Sequence, residues 1–365
     1  ELVRSRNAVL QREPNLPVNF SVGLTGGKSF DIGDVQLGVI AAAGFSNKWL
    51  TKDARQQSTL SADLSTLESD FQRVTTTNRV VANALIGVGL EFGSNKMRWT
   101  NLYVRDTIKQ ARLGVGNRQQ TTVDFMQQDT AWYERQLIDT QLVGEFELAT
   151  GLRLDARGGY ANSQREAPGE LSFEYVRTNS AADPYGAHFV NRLNNGNGGD
   201  ATISYSDLNE DLWSGGLDLG YVLTPDINVG IGGALTDTRR TSSRRDFQFL
   251  APNSFPTGVG MLRPDLLLAP GIIDGFNISL IETNEGNPAF EASLKTKAGY
   301  GKVNWQITPD IGIEAGVRYE KADLAVDPVQ VFTVPGAATA GTMQKRSYWL
   351  PAATLTWQLR PDLQF

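Results

Sequence analysis

Between Ile311 and Glu320, apolar and polar side chains alternate without a break. Ile311, Ile313, Ala315, Val317 and Tyr319 occupy the odd positions, and Gly312, Glu314, Gly316, Arg318 and Glu320 the even ones. A strand turns successive side chains to opposite faces, so this stretch has one apolar face and one polar face. A soluble sandwich would bury the apolar face under a second sheet, and its other face is seldom so rich in Gly and charge. A membrane-spanning sheet gives the same alternation, with lipid on one side and a water-filled or plugged lumen on the other. Strand length, connection length and aromatic placement over the whole chain separate the two.

The pattern recurs. Val35, Leu37, Val39, Ala41, Ala43 and Phe45 alternate with Gln36, Gly38, Ala42, Gly44 and Ser46, Ile40 being the exception. Ile138, Leu142, Phe146 and Leu148 oppose Asp139, Gln141, Glu145 and Glu147, and after a short turn Leu152, Leu154, Ala156, Gly158 and Tyr160 oppose Arg153, Asp155 and Arg157. Trp213, Leu217, Leu219, Tyr221 and Leu223 rebuild it, as do Trp349, Pro351, Ala353, Leu355, Trp357 and Leu359. Leu294, Thr296, Ala298 and Tyr300 oppose Lys295 and Lys297, whereas Val303, Trp305 and Ile307 have the other parity, so a bulge is expected near Gly301-Lys302.

Connections fall into two classes. Long polar or Gly/Pro-rich stretches run over about 47–78, 114–128, 163–210, 249–287 and 331–345, and short turns over about 26–33, 93–96, 150–151, 224–227, 308–310 and 360–362. An outer-membrane barrel carries long loops on its extracellular rim and short turns on its periplasmic rim. Aromatic residues gather near strand ends: Tyr221, Trp305 and Trp357 toward the turns, Trp49, Trp213, Tyr319 and Trp349 toward the loops. Two interfacial girdles use aromatics in this way. The reading is an all-β chain, an antiparallel transmembrane barrel of about eleven strands plus a stub at Leu363-Gln364-Phe365. Even strand numbers are the rule and lipid tolerates no open sheet edge, so residues 1–365 are expected to form part of a larger barrel, a twelve-stranded barrel completed by a distorted end being the competing account.

Composition narrows the function classes. No run approaches the roughly 18 apolar residues of a membrane helix, a test that barrel strands escape. The net charge of −6 comes without a basic stripe, which argues against nucleic acid. The absence of Cys removes disulfides and thiolate metal sites, and His188 is the only histidine. No Ser/His/Asp grouping is brought together by strand parity, so no enzyme and no cofactor are expected. Asn194-Asn-Gly-Asn-Gly-Gly-Asp200 has the oxygens of a cation loop, though its glycines read first as a flexible connection. The first residues carry no signal peptide.

Asp70-Phe-Gln-Arg-Val-Thr-Thr-Thr-Asn-Arg79, Gly87-Val-Gly-Leu-Glu-Phe-Gly93, Arg98-Trp-Thr-Asn-Leu-Tyr-Val-Arg-Asp106 and Lys109-Gln-Ala-Arg112 resemble the barrel of TonB-dependent outer-membrane receptors of Gram-negative bacteria. Pro14-Asn-Leu-Pro-Val-Asn-Phe20 and Tyr348-Trp-Leu-Pro-Ala-Ala-Thr-Leu-Thr-Trp357 look like that group too. The resemblance implies a 22-stranded barrel plugged by an N-terminal domain, energised through TonB, taking up a small-molecule or glycan ligand such as an iron chelate or cobalamin. Neither plug nor TonB box is visible here, so the chain would be the middle of such a barrel. Partners would be outer-membrane lipid, the plug, TonB and the ligand. Lumen-facing candidates are Glu145, Glu147, Arg153, Asp155, Arg157, Lys295, Lys297, Glu314 and Arg318. A passive porin and a surface adhesin are the alternative functions.

Overall fold

The computed structural model describes residues 10–63, 65–118, 123–178, 185–195, 198–283, 288–331, 341–360 and 363–364. They form one antiparallel sheet. Its eleven long strands are β1 (Phe20–Ile32), β2 (Val35–Thr59), β3 (Leu67–Phe92), β4 (Asn95–Arg118), β5 (Asp124–Ala149), β6 (Leu152–Arg177), β7 (Asp200–Thr224), β8 (Ile227–Leu250), β10 (Ala289–Thr308), β11 (Ile311–Val329) and β12 (Thr342–Arg360). A short β9 (Ser279–Glu282) pairs with β8, and β13 (Leu363–Gln364) with β12. The long strands are neighbours in chain order, a simple up-and-down meander, with β9 off the path beside β8.

Among the described residues, five connections at one end of the sheet are two residues long: Gly33-Asp34, Gly93-Ser94, Thr150-Gly151, Pro225-Asp226 and Pro309-Asp310. Gly33, Gly93 and Gly151 have φ of 61°, 55° and 76°, where a side chain is strained. The first turn therefore sits at Gly33, not across 26–33. Gly26 and Gly27 stay in β1, where a Cβ on Gly27 would lie 3.0 Å from the Val39 carbonyl oxygen.

The last hairpins step past each other in a constant direction. Leu152 pairs with Tyr221, Ile227 with Trp305 and Ile311 with Trp357, each partner three residues short of its strand's end at Thr224, Thr308 and Arg360. Three residues are about 10 Å along the strand, against two strand spacings of about 4.8 Å, a tilt of about 45°. Barrel strands tilt by similar amounts.

Register keeps the two faces separate across the sheet. Trp305, Ile313 and Leu355 lie in one row, and Val303, Ala315 and Ala353 in the next. Ile231, Leu219 and Leu154 continue the apolar face through β8, β7 and β6. No bulge interrupts β10 at Gly301-Lys302; its only register shift lies between Gln306 and Thr308. Tyr300 is consequently on the polar face, and Lys295 and Lys297 on the apolar one, contrary to the parity expected from sequence. Gly299 and Gly301 stand where apolar side chains would have revealed the continuous phase.

The long connections are shorter than the sequence implies, because strands continue into them. β2 and β3 hold together as far as Thr59 and Leu67, so the 47–78 segment is mostly strand. Polar cross-strand pairs replace apolar alternation there: Thr51 and Thr76 hydroxyls lie 2.9 Å apart, Ser58 and Ser69 2.6 Å, and Arg55 grips Asp70. A ladder wet on both faces has no hydrophobic period to read. The same holds for 114–128, 163–210 and 331–345, where the connections shrink to 119–123, 178–199 and 330–341, whereas the connection expected over 249–287 keeps its length as 251–288. Residues 119–122, 179–184, 196–197, 284–287, 332–340 and the expected turn at 361–362 lie outside the described residues.

Among the described residues, a buried core exists only toward this loop end. Segments 185–195 and 251–278, with the short helices α1 (Pro264–Leu267) and α2 (Pro270–Gly275), cover β6–β8. Phe173, Tyr175, Ile203 and Phe249 pack there with Leu193, Leu267 and Ile278, and the Tyr175 hydroxyl donates to the Leu262 carbonyl at 2.9 Å. Burial against that core raises the Tyr175 pKa. A smaller cluster of Phe71, Phe125 and Val176 occupies the opposite face.

Candidate functional site: the charged face of the sheet

Seven of the nine charged candidates share one face. Glu145 pairs with Asp155 and Glu147 with Arg153 across β5 and β6, in the rows that continue to Asp218 and Gly220 of β7. The Arg153 guanidinium reaches Glu145 at 2.8 Å and Asp155 at 2.9 Å. Arg157 pairs with Asp218, which also accepts the Tyr300 hydroxyl at 2.6 Å. Lys302 lies 3.4 Å from Glu314, and Arg318 lies 3.0 Å from Glu320. The line of charge thus crosses β5, β6, β7, β10 and β11.

Glycine makes this line possible on β8. A Cβ at Gly232 would run into the Asp218 carboxylate and come within 2.5 Å of the Tyr300 ring, so only a bare backbone lets Tyr300 lie across the strand to reach Asp218. Gly216 gives Arg157 similar room, with its guanidinium 2.8 Å from where a Cβ would stand. A cavity of about 740 Å³ opens toward the turns, its polar lining including Lys96, Glu145, Glu147, Arg153, Asp155 and Lys302. The face offers alternating cations and carboxylates to an occupant, suited to a polar surface or ligand and not to acyl chains.

Lys295 and Lys297 do not join this face. Lys295 faces Asp237 and Asp323, with its ammonium 3.5 Å from Asp237, and Lys297 faces Leu235 and Lys321. Conversely, Asp218, Tyr300 and Lys302 belong to the charged face but were not among the candidates. Asp218 was legible between Leu217 and Leu219; Tyr300 was hidden by the phase assigned to β10.

The apolar face carries most of the aromatic candidates. Tyr221, Trp305 and Trp357 stand near the turns; Trp213, Tyr319 and Trp349 stand farther up, and Trp349 is 69% exposed. Tyr160 packs on Trp213 with ring centroids 4.6 Å apart, and Tyr319 on Trp349 at 4.8 Å. Trp49 stands apart, four residues beyond Phe45 on β2. It lines a cavity of about 350 Å³ with Asn78, Lys109 and Trp132, the Lys109 ammonium lying 4.3 Å from the Trp132 ring.

Farther toward the loop end, the charged face continues as Arg118, Glu174 and Gln127. Glu174 accepts from Arg118 at 2.6 Å and from Gln127 at 2.9 Å. Asp200 pairs with Glu174 across β6 and β7. Burial, reinforced by the Glu174 charge, pushes the Asp200 carboxyl up to about 6. The cation-loop expectation ends at this residue. Part of that loop lies outside the described residues, and among the described residues no group of three or more His, Asp or Glu is placed to hold a metal ion.

Tilted antiparallel strands, one apolar face flanked by aromatics and one charged face define a sheet of the outer-membrane barrel type. Residues 19–365 match the family model described as TonB dependent receptor-like, beta-barrel, and the chain belongs to that family. No curated protein matches it. Among solved structures, the siderophore receptor PiuA from Acinetobacter baumannii is similar over 91% of this chain and 48% of its own, at 12% identity and TM-score 0.36. The chain thus spans about half of that receptor's length. The outer membrane protease OmpT from Escherichia coli matches over 87% of this chain and 96% of its own, at 9% identity and TM-score 0.23. The copper transporter OprC matches over 97% and 74%, at 9% identity and TM-score 0.14. None of these superpositions is close enough to define a ligand.

Proposed function

We propose that this chain is the barrel portion, over residues 1–365, of an outer-membrane receptor that takes up a scarce ligand of the siderophore, cobalamin or glycan type with energy delivered through TonB. Family membership over residues 19–365 carries the reading. In it the apolar face meets lipid and the charged face lines the lumen against plug and ligand. Glu145, Glu147, Arg153, Asp155, Arg157, Glu314 and Arg318 then serve as lumen residues, joined by Asp218, Tyr300 and Lys302. The two-residue turns face the periplasm and the long connections face outward. Tyr221, Trp305 and Trp357 form one girdle, and Trp213, Tyr319 and Trp349 the other.

Planar-bilayer conductance of the protein together with its plug separates this from a passive channel. A plugged receptor stays silent without an energising partner, whereas a porin conducts steadily. Steady conductance with the plug present would overturn the receptor reading.

A further inference from the structure

The upper aromatic ring of the apolar face has a gap. Trp213 stands eleven residues from Thr224 at its turn, and Trp349 eleven from Arg360. On β10 and β11, which lie between, Lys297, eleven residues from Thr308, stands at that height, and Lys321, ten from Ile311, stands one row beyond Tyr319 of the ring. These two lysines are direct cross-strand partners on the apolar face, and both are exposed. Like charges directly opposite each other weaken a sheet, and nothing in their own row compensates: the next neighbours are Leu235 and Ser347.

The nearby acids stand one row farther out, and of the pair only Lys321 reaches one of them, at the limit of an ion pair. Asp237 holds Lys295 at 3.5 Å, and Asp323 lies 3.9 Å from Lys321 while pairing across the sheet with Lys295 and Lys345. Among the described residues no carboxylate lies within ion-pair distance of Lys297. Directly below the pair, the Tyr319 and Trp349 rings lie in contact, tilted 49° to one another, and Val317 and Leu355 continue toward the turns as bare apolar surface. A ligand complementary to this patch is anionic at the top and hydrocarbon below.

We propose that Lys297 and Lys321 seat the phosphate of a membrane lipid, whose headgroup rests beside Tyr319 and Trp349 and whose chains run down the face of β10–β12. Cross-strand partners bring two ammonium groups to opposite sides of one phosphate, which relieves their mutual repulsion. The inference rests on the assignment of this face to lipid.

The test is native mass spectrometry of the protein carried in nanodiscs of phosphatidylcholine containing phosphatidic acid, reading the lipid retained after transfer to detergent. A lysine at a membrane surface strengthens anionic-lipid binding about fivefold, so the wild type should prefer phosphatidic acid about twenty-five-fold. The double variant Lys297→Gln/Lys321→Gln should lose that preference, Lys297→Arg/Lys321→Arg should keep it, and Lys28→Gln, on the apolar face of the distant β1, should leave it intact. Insertion without any preference, or a preference unchanged in the glutamine variant, overturns the lipid site alone. Failure to enter either kind of disc overturns the assignment of the apolar face to lipid, and the site with it.

Discussion

The same strands treat their apolar side chains in two opposite ways. Near the turns, Leu217 of β7 is 59% exposed and Ile231 of β8 is 62% exposed. Toward the loops and on the same face, Ile203 of β7 and Phe249 of β8 are 1% and 2% exposed, sealed by segments 185–195 and 251–278. Among the described residues, the chain therefore carries covering layers and places them only over the loop end. Where strands stand in water, their apolar side chains need a protein layer. Where the face is bare for about nine residues between aromatic ends, no protein layer among the described residues covers it, and in the proposed function its cover is lipid.

The comparison breaks first at the covered end. Phe173→Ala should cost about 3–5 kcal/mol of local stability, the usual range for an aromatic truncated in a closed core. Limited proteolysis should then cut within 185–195 and 251–278 while the strands near the turns stay protected. Leu217→Ala, facing hydrocarbon, should leave the same digestion pattern unchanged. Equal sensitivity in both variants would mean that the two regions share one solvent.

Charge sharpens it from the other side. Ile231→Arg places a guanidinium in the middle of the bare band and should destabilise by about 2–4 kcal/mol, whereas Thr241→Arg, ten residues farther along β8 on the same face, should cost about 0–1 kcal/mol. Urea unfolding in lipid vesicles, followed by tryptophan fluorescence, measures both. A small effect at Ile231 would show that the band is not in lipid.

The two regions were unequally legible in the sequence. Alternation from Ile311 to Tyr319 declared the band, because an apolar face and a polar face on one strand impose a period of two. Beyond the band that contrast disappears. Ladder pairs such as Thr51 with Thr76 and Arg55 with Asp70 are polar and carry no period, so strands there read as loops. The charged face was legible wherever an acid or base sat between aliphatics, as at Asp155. It was misread on β10, where Gly299 and Gly301 left the phase open and the polar Tyr300 hydroxyl looked like part of an apolar run. The packing of Phe173 under Leu267 depends on contacts between segments about ninety residues apart, which no local pattern encodes.

Acidity gives the smallest and most local contrast. The Asp200 carboxyl is held up to about 6 by burial and by Glu174, above the 3.8 of an unstrained aspartate. Between those values the folded state keeps a proton that the unfolded state has released, so stability falls as pH rises through 3.8 and the full penalty is present above about 6. With the carboxyl only partly shielded from water, the penalty is about 1–2 kcal/mol. Asp200→Asn removes the charge and should raise hydrogen-exchange protection around β6 and β7 at pH 7 while changing little at pH 3.5. The turn end of the same strands, which lacks this buried acid, should show no such pH-dependent gain. A gain of equal size at both ends would mean that Asp200 acts on the whole sheet, and the loop end would then not be a separately stabilised region.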